Sequence, residues 1–286
     1  MKFATFLHAG REQIGLVDAE AERVCPMEAQ DMIDLIRRFD EIAPRIKMNG
    51  NGMDLSEVRL LAPIPRPSRN IFCVGKNYRD HAREFANSGY EAGAVKGAEI
   101  DDYPAVFTKP GTCVVGPGEP VDTHPRVTSA VDYEVELTIV IGKGGRDIRR
   151  DDALKHIFGY TIINDVTARD RQKNHRQWFL GKALDSFCPM GPWITTADEV
   201  DIDNLEVRTW VNGELRQNAN TRDLIFDIPG LIETLSAGAT LMPGDLIATG
   251  TPAGVGLGFN PPKFLKAGDN VTMSITGLGT LSNPFA

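Results

Sequence analysis

The sequence between residues 131 and 141 reads Val131-Asp132-Tyr133-Glu134-Val135-Glu136-Leu137-Thr138-Ile139-Val140-Ile141. β-Branched and other apolar residues fill most of this run, which predicts a strand. Side chains alternate along a strand, so Tyr133 and Val135 are expected on one face. The acidic residues Asp132, Glu134 and Glu136 are then expected on the other face, with the two glutamates about 7 Å apart at Cα.

The two glutamates belong to a candidate metal site. A strand this apolar is expected to be covered on both faces, where neighbouring carboxylates repel each other and resist ionisation unless a cation compensates them. Asp165 ends another strand-like run and offers a third carboxylate. Three carboxylates without histidine or thiolate suit a hard divalent cation such as Mg²⁺ or Mn²⁺. Spacing alone leaves two other interpretations open: Glu134 and Glu136 on a solvated sheet face, and Asp165 as the N-cap of the next helix.

Short strand-like runs separated by Gly and Pro dominate the chain beyond residue 70. They lie at 71–74, 105–107, 131–141, 158–163, 207–211, 246–248 and 271–275, with helical windows at 78–85, 166–179 and about 228–237. Since strands and helices do not alternate regularly, the pattern predicts a β-rich α+β fold, a roll or sandwich, rather than a doubly wound sheet. The Asn/Gly stretch 49–52 and the Pro-rich stretch 63–67 predict a small N-terminal α+β domain, residues 1–66, before a larger domain, residues 67–286.

Charge and composition argue against several classes of protein. The 286 residues carry a formal net charge of -8, which disfavours binding to nucleic acid. We expect a cytoplasmic protein without membrane contact, because the N-terminus lacks the apolar core of a signal peptide and no run approaches the roughly 20 apolar residues of a transmembrane helix. The four cysteines lie far apart, which predicts free thiols rather than a zinc site or disulfides.

A glycine-rich run, Gly254-Val255-Gly256-Leu257-Gly258, superficially resembles a dinucleotide-binding loop. It continues into Phe259-Asn260-Pro261-Pro262, where such a loop would be followed by a helix. The run therefore does not predict a nucleotide site.

Several segments together resemble the fumarylacetoacetate hydrolase family. They are Gly75-Lys76-Asn77-Tyr78-Arg79-Asp80-His81-Ala82-Arg83-Glu84, Phe107-Thr108-Lys109-Pro110, Asp132 to Leu137, Asn164-Asp165-Val166-Thr167-Ala168-Arg169-Asp170, Gly181-Lys182-Ala183-Leu184-Asp185, and Pro243 to Gly256. They stand in the family's order and span the chain from about residue 70 to its end. Residues 1–66 carry no signature, although a small variable domain in that place is usual in the family.

The resemblance implies a fold and a chemistry. The implied fold is a mixed β-sandwich roll, commonly a homodimer, with one Mg²⁺ or Mn²⁺ per subunit on Glu134, Glu136 and Asp165. The implied substrate is a small-molecule 2-oxo acid. Family members cleave a C–C bond in 2,4-dioxo acids, decarboxylate oxaloacetate-like acids or isomerise related dienes, and each of these reactions passes through an enolate that a cation stabilises.

The resemblance also assigns roles to individual residues. His81 and Glu84 lie one helical turn apart and are implied to activate water, although such a pair is also common on surface helices. Lys182 is implied to stabilise an oxyanion, unless it is an ordinary surface lysine. The substrate's carboxylate and oxo groups are assigned to Arg169, Gln172 and Thr251, for which purely structural roles stay open. Lys109 is expected at most to shape the pocket wall.

The sequence thus predicts a metal-dependent hydrolase that cleaves a 2,4-dioxo acid to pyruvate and a second carboxylic acid. The alternatives are an oxaloacetate-type decarboxylase, a hydroxymuconate-type isomerase or decarboxylase on the same site, and a non-catalytic ligand-binding protein. Residues 86–103 are rich in Gly, Ala and acidic residues and predict a loop. We expect a lid of about residues 78–103, with backbone freedom at Gly89, Gly93 and Gly97, that closes over the site with His81.

Overall fold

The computed structural model describes residues 1–46, 52–90 and 102–286. Its strands are β1 (Lys2–His8), β2 (Arg11–Asp18), β3 (Arg23–Pro26), β4 (Met53–Asp54), β5 (Arg59–Leu60), β6 (Ile71–Gly75), β7 (Ala105–Lys109), β8 (Val114–Val115), β9 (Val131–Asp132), β10 (Val135–Ile141), β11 (Ile157–Asn164), β12 (Thr167–Ala168), β13 (Cys188–Thr196), β14 (Glu206–Val211), β15 (Glu214–Asn220), β16 (Leu246–Ala248), β17 (Asn270–Ile275) and β18 (Gly279–Pro284). Its α-helices are α1 (Met32–Arg37), α2 (Phe39–Ile42), α3 (Arg79–Asn87), α4 (Arg169–Asn174), α5 (Phe179–Lys182) and α6 (Ile228–Ser236). Short 3-10 helices lie at Ala43–Arg45, Leu55–Glu57, Gly111–Cys113, Arg150–His156, Ala197–Glu199, Thr221–Asp223 and Gly256–Gly258.

A large sheet positions the candidate site. Its strands follow the order β4-β3-β2-β1-β13-β11-β10-β16-β6-β7, with β5 beside β1 and β8 beside β13. All seven residues of β10 are buried, as its apolar sequence predicts. β10 pairs antiparallel with β11, and Val135 lies opposite Asn164. The start of β10 therefore lies beside the end of β11, which brings Glu136 close to Asp165.

The strand predicted over residues 131–141 is interrupted. β9 pairs with β12, while β10 joins the large sheet, and Tyr133 and Glu134 belong to neither strand. Side chains satisfy the backbone at the break, since the N–H of Glu134 donates to Asn164 Oδ1 at 3.0 Å and that of Val135 donates to Gln217 Oε1 at 3.2 Å. The prediction of one regular strand was wrong at these two residues, because side-chain amides replaced the ladder's hydrogen bonds.

A second sheet, with the strand order β15-β14-β17-β18, packs on the first. Its buried residues Val207, Met273 and Leu281 share a core with Leu137 and Ile139 of β10. The two sheets and the few helices confirm the β-rich α+β fold. The helical window 166–179 is shorter than predicted, because α4 ends at Asn174 and α5 begins only at Phe179.

The N-terminal region shares the large sheet. β1 pairs antiparallel with β13, with Phe3 opposite Ile194, and the Phe3 ring lies 5.8 Å from that of Phe39 and 6.0 Å from that of Phe158. Strands from both sides of residue 66 thus hydrogen-bond to one another. The domain division at residue 66 stays a prediction.

Other expectations concern the membrane, the cysteines and the lid. Among the residues described, no helix combines the length and apolar character needed to cross a bilayer. Cys25, Cys73, Cys113 and Cys188 are all buried, and no disulfide joins any two of them, as expected. Residues 91–101 of the predicted lid, with Gly93 and Gly97, lie outside the described residues, so the lid stays a prediction.

Candidate active site

Three buried carboxylates converge where β10, β11 and the β9–β10 break meet. One oxygen from each of Glu134, Glu136 and Asp165 lies within 4.8 Å of the other two. Both glutamates are buried, so the interpretation of a solvated sheet face is wrong. Asp165 does not cap α4, because the N-cap of that helix is Ala168.

Two lysines neutralise part of this acidic group. Lys182 Nζ lies 2.8 Å from Glu134 Oε2 and 2.7 Å from Asp165 Oδ2. Lys109 Nζ lies 2.7 Å from Asp165 Oδ1, and it donates to the carbonyl oxygens of Val166, at 3.0 Å, and of Lys182. Lys109 is completely buried and does not line the cavity described below, so it fixes Asp165 and the Lys182 backbone rather than contacting a ligand.

An arginine completes the charge pattern. Arg169 Nη1 lies 2.7 Å from Glu134 Oε1, and Arg169 Nε lies 2.8 Å from Asp132 Oδ2. Burial raises the pKa of Glu134, but Lys182 and Arg169 outweigh burial and lower that pKa to about 2. Glu134 is therefore an ionised carboxylate whose charge is already balanced.

Glu136 has the opposite electrostatic environment. Burial, with Asp165 and Glu134 nearby, raises its pKa well above the ordinary value. Its Oε2 accepts a hydrogen bond from the Gly250 N–H at 2.9 Å, and within the described ranges it forms no ion pair. An all-oxygen site with one uncompensated buried carboxylate fits a divalent cation, which Glu134, Glu136 and Asp165 would hold.

A histidine and a glutamate one turn apart on α3 form a hydrogen-bonded pair. His81 Nδ1 lies 3.1 Å from Glu84 Oε2, and His81 is only 4 % exposed. A carboxylate beside Nδ1 keeps the proton on that nitrogen, so Nε2 is the basic nitrogen of the neutral ring. Glu84 Oε1 accepts from the Gly254 N–H at 3.0 Å. The glycine-rich loop therefore fixes the carboxylate that orients His81.

The same loop approaches α3 too closely for a side chain. A Cβ on Gly258 would lie 1.9 Å from Glu84 Oε1. The glycine at this position thus allows the loop to pack against the His81–Glu84 pair.

One cavity brings the candidate residues together. Its polar lining comprises Lys76, His81, Glu134, Glu136, Arg169, Gln172, Lys182 and Thr251. Its apolar lining includes Phe85, Phe107 and Trp178. Glu84 and Asp165 do not line the cavity. Glu84 binds His81 and Asp165 binds Lys182, and both of these partners line it.

One wall of the cavity presents hydrogen-bond donors. Arg169 is 1 % exposed, and its Nη2 has no hydrogen-bond partner within the described part of the chain. Arg169 Nη1 donates to Gln172 Oε1 at 3.2 Å, which leaves the Gln172 amide nitrogen available as a donor. A buried guanidinium nitrogen without an acceptor fits an anionic ligand such as a carboxylate.

Sequence reasoning gave no role to Asp132, which organises this wall. Its carboxylate accepts from the N–H groups of Gly256, at 2.6 Å, and Leu257, at 3.0 Å, besides its pair with Arg169. Asp132 therefore connects the glycine-rich loop to the arginine. Its place in the Asp-x-Glu-x-Glu pattern was the available signal, but the alternation of an unbroken strand placed it with the candidate metal ligands.

Comparisons with known proteins identify the family of this chain. Residues 70–286 match the family model described as "Fumarylacetoacetate (FAA) hydrolase C-terminal". The chain is 51% identical over 262 residues to oxaloacetate tautomerase YisK of Bacillus subtilis strain 168. The aligned region covers 91% of this chain and 84% of that protein.

Solved structures resemble the whole chain. A fumarylacetoacetate hydrolase from Exiguobacterium antarcticum has a TM-score of 0.85 and 42% identity, with 100% of this chain and 99% of that chain covered. Maleylpyruvate hydrolase from Sphingobium sp. SYK-6, in complex with manganese(II) ion and pyruvate, has a TM-score of 0.80 and 34% identity over the same shares of the two chains.

Proposed function

Because this chain belongs to the fumarylacetoacetate hydrolase family, we propose that it is a tautomerase that interconverts the keto and enol forms of oxaloacetate or a closely similar 2-oxo diacid. The observation that carries the proposal is His81, whose basic Nε2 is oriented by Glu84 in a cavity with a donor wall. Tautomerisation needs one base beside an anchored oxo acid and no attacking water. The 51% identity to an oxaloacetate tautomerase supports this reaction over hydrolysis.

The residues at the cavity have separate roles in the proposed reaction. Arg169 Nη2 and the Gln172 amide hold a substrate carboxylate, so that the carbon next to the carbonyl faces His81. His81 Nε2 takes a proton from that carbon, and Glu84 stabilises the resulting imidazolium. The imidazolium then gives this proton to the 2-oxo oxygen, which yields the enol and restores the neutral ring. Lys182 uses two of its three N–H groups on Glu134 and Asp165, and the third donates toward the 2-oxo oxygen.

A divalent cation on Glu134, Glu136 and Asp165 would supply Lewis-acid stabilisation of the negative charge that develops on the substrate oxygen. Mg²⁺ and Mn²⁺ both suit an oxygen-only ligand set. The manganese in the maleylpyruvate hydrolase structure supports a cation of this kind. One ion per subunit of a homodimer stays part of the proposal.

Hydrolysis of an acylpyruvate is the second candidate function. The same His81–Glu84 pair could orient and deprotonate a water molecule, and the maleylpyruvate hydrolase neighbour favours this reaction. The two reactions differ in whether a C–C bond breaks.

One set of assays separates them. The purified protein with Mg²⁺ or Mn²⁺ is mixed with the enol form of oxaloacetate, and loss of the enol absorbance is followed alongside pyruvate release. Faster loss of the enol without pyruvate supports the tautomerase. Pyruvate release from acylpyruvates alone supports the hydrolase, pyruvate from oxaloacetate supports the decarboxylase, and no turnover of any substrate supports a ligand-binding protein.

A further inference from the structure

We infer that Gln217, a residue outside the cavity, fixes the direction of the Thr251 hydrogen bond and thereby makes Thr251 a donor to a substrate carboxylate. Gln217 lies on β15 of the second sheet and is completely buried. It does not line the cavity, whereas Thr251 does. Gln217 is thus a positioning residue, and the inference rests on the proposed 2-oxo acid substrate.

The orientation of the Gln217 amide follows from two backbone partners. Its Oε1 accepts from the N–H of Val135 at 3.2 Å, and its Nε2 donates to the carbonyl oxygen of Pro252 at 2.8 Å. A backbone N–H can only donate and a carbonyl oxygen can only accept, so exchanging the amide oxygen and nitrogen would break both bonds. The Thr209 hydroxyl, opposite Gln217 on β14, adds a donor to Oε1 at 2.9 Å.

This orientation determines whether the Thr251 hydroxyl donates or accepts in its hydrogen bond with Gln217. The second proton of Gln217 Nε2 points to Thr251 Oγ1 at 2.8 Å, and an amide nitrogen cannot accept a hydrogen bond. Thr251 must therefore accept here and direct its own proton elsewhere. Within the residues that the structure describes, the Thr251 hydroxyl donates to no protein group. Its proton is available to the cavity.

A donating Thr251 matches the rest of the wall. A free hydroxyl can donate or accept, whereas a hydroxyl that already accepts from an amide preferentially donates. Arg169 Nη2 and the Gln172 amide nitrogen are also donors, and neither has an acceptor among the residues that the structure describes. A carboxylate, which only accepts, satisfies all three groups. The second sheet thus contributes to substrate recognition through Gln217, although none of its residues lines the cavity.

The test measures binding rather than turnover. Oxalate, an unreactive dicarboxylate, is titrated by calorimetry into the full-length Mg²⁺-loaded protein and four variants: Gln217→Met, Thr251→Val, their double variant and Thr209→Val. Losing a hydrogen bond to a carboxylate should weaken oxalate binding about tenfold or more in Thr251→Val. Gln217→Met should weaken it by a smaller factor, about threefold to fivefold, because the hydroxyl can still donate but is no longer held in that direction. It should add less than about twofold in the Thr251→Val background, since it acts through that hydroxyl. Thr209→Val, which removes a bond on the far side of Gln217, should bind within about twofold of the natural protein.

Several results would overturn the inference. They are an unchanged affinity in Gln217→Met, equal losses from Gln217→Met with and without the Thr251 hydroxyl, and no oxalate binding by the natural protein. If Gln217→Met does not fold, Gln217→Glu replaces it in the same comparison of two single variants with their double variant. The added charge then affects oxalate binding equally with and without the Thr251 hydroxyl. Only an effect that acts through Thr251 makes the two losses differ. Oxalate binding without turnover of the oxaloacetate enol would reject the proposed tautomerase while leaving the Gln217 cycle decisive.

Discussion

Glu134 and Glu136 are the same residue type two positions apart, yet neighbouring groups balance their charges differently. Lys182 and Arg169 pair with Glu134 and lower its pKa to about 2, whereas Glu136 has a backbone N–H and two carboxylates near it. A paired buried charge stabilises its partners, and an unpaired one costs stability. The two positions should therefore respond in opposite ways when their charge is removed.

We predict that Glu134→Gln destabilises the metal-free protein and that Glu136→Gln does not. Glu134→Gln leaves the buried cations of Lys182 and Arg169 short of a partner, which costs about 3 kcal/mol or more and lowers the melting temperature by several degrees. Glu136→Gln should leave the melting temperature in EDTA unchanged or raise it. Both variants should lose the stabilisation by Mg²⁺ and the turnover, because each removes a ligand. Scanning calorimetry with and without Mg²⁺ checks this; equal destabilisation of the two metal-free variants would contradict the charge assignment.

His81 is the residue on which proton transfer should depend most. We predict that His81→Ala lowers the rate of enol-to-keto conversion about 10²–10⁴-fold, the usual effect of removing a positioned general base. Any decarboxylation of oxaloacetate should fall much less, since it needs an electron sink rather than this base. His175→Ala, the same substitution at an exposed position, is the matched control and should keep full activity. An unchanged conversion rate in folded, metal-loaded His81→Ala would exclude His81 as the base.

At the scale of elements, the packing of the glycine-rich loop on α3 should govern catalysis more than stability. We predict that Gly258→Ala displaces Glu84, because the new Cβ would lie 1.9 Å from its Oε1. The turnover number should fall about tenfold or more as His81 loses its orientation, while oxalate affinity changes little.

The matched control is Gly258→Ala in a protein that lacks the Glu84 carboxylate with which the new Cβ would clash. In a Glu84→Ala background, Gly258→Ala should cause little further loss of turnover, since the clashing carboxylate is gone. Equal losses in both backgrounds would mean that Gly258 acts through the loop alone.

Sequence patterns predicted the elements that local residues determine. The apolar run of β10 and the helical window that became α3 are visible from periodicity. The spacing of the three carboxylates left a solvated sheet face and a helix cap open, and only the resemblance to the family favoured them as metal ligands. The break at Tyr133 and Glu134 was not visible, because it depends on Asn164 and Gln217, which lie far away in sequence. The interactions that orient side chains in this site cross between elements, and a one-dimensional pattern does not contain them.

At the scale of the whole molecule, the least predictable feature is how the N-terminal region joins the rest. Pro- and Gly-rich stretches predicted a boundary near residue 66, but β1 hydrogen-bonds to β13 across it. One cluster contains buried residues from β1, β2 and α1 together with buried residues from β6 and β16. A local sequence pattern does not indicate which distant strand will pair with β1. The sequence could therefore suggest a boundary near residue 66 but not the strand pairing across it.

This continuity predicts that the chain unfolds as one unit. Phe3 is fully buried against Phe39 and Phe158, and Phe3→Ala should cost about 3–5 kcal/mol. Because the cluster spans the proposed boundary, the loss should lower the temperature of a single calorimetric transition for the whole metal-free protein. The control is Phe179→Ala, at a ring 40% exposed, which should shift the transition by far less. Two separate transitions, with only the smaller one moved by Phe3→Ala, would instead establish residues 1–66 as an independently folding domain.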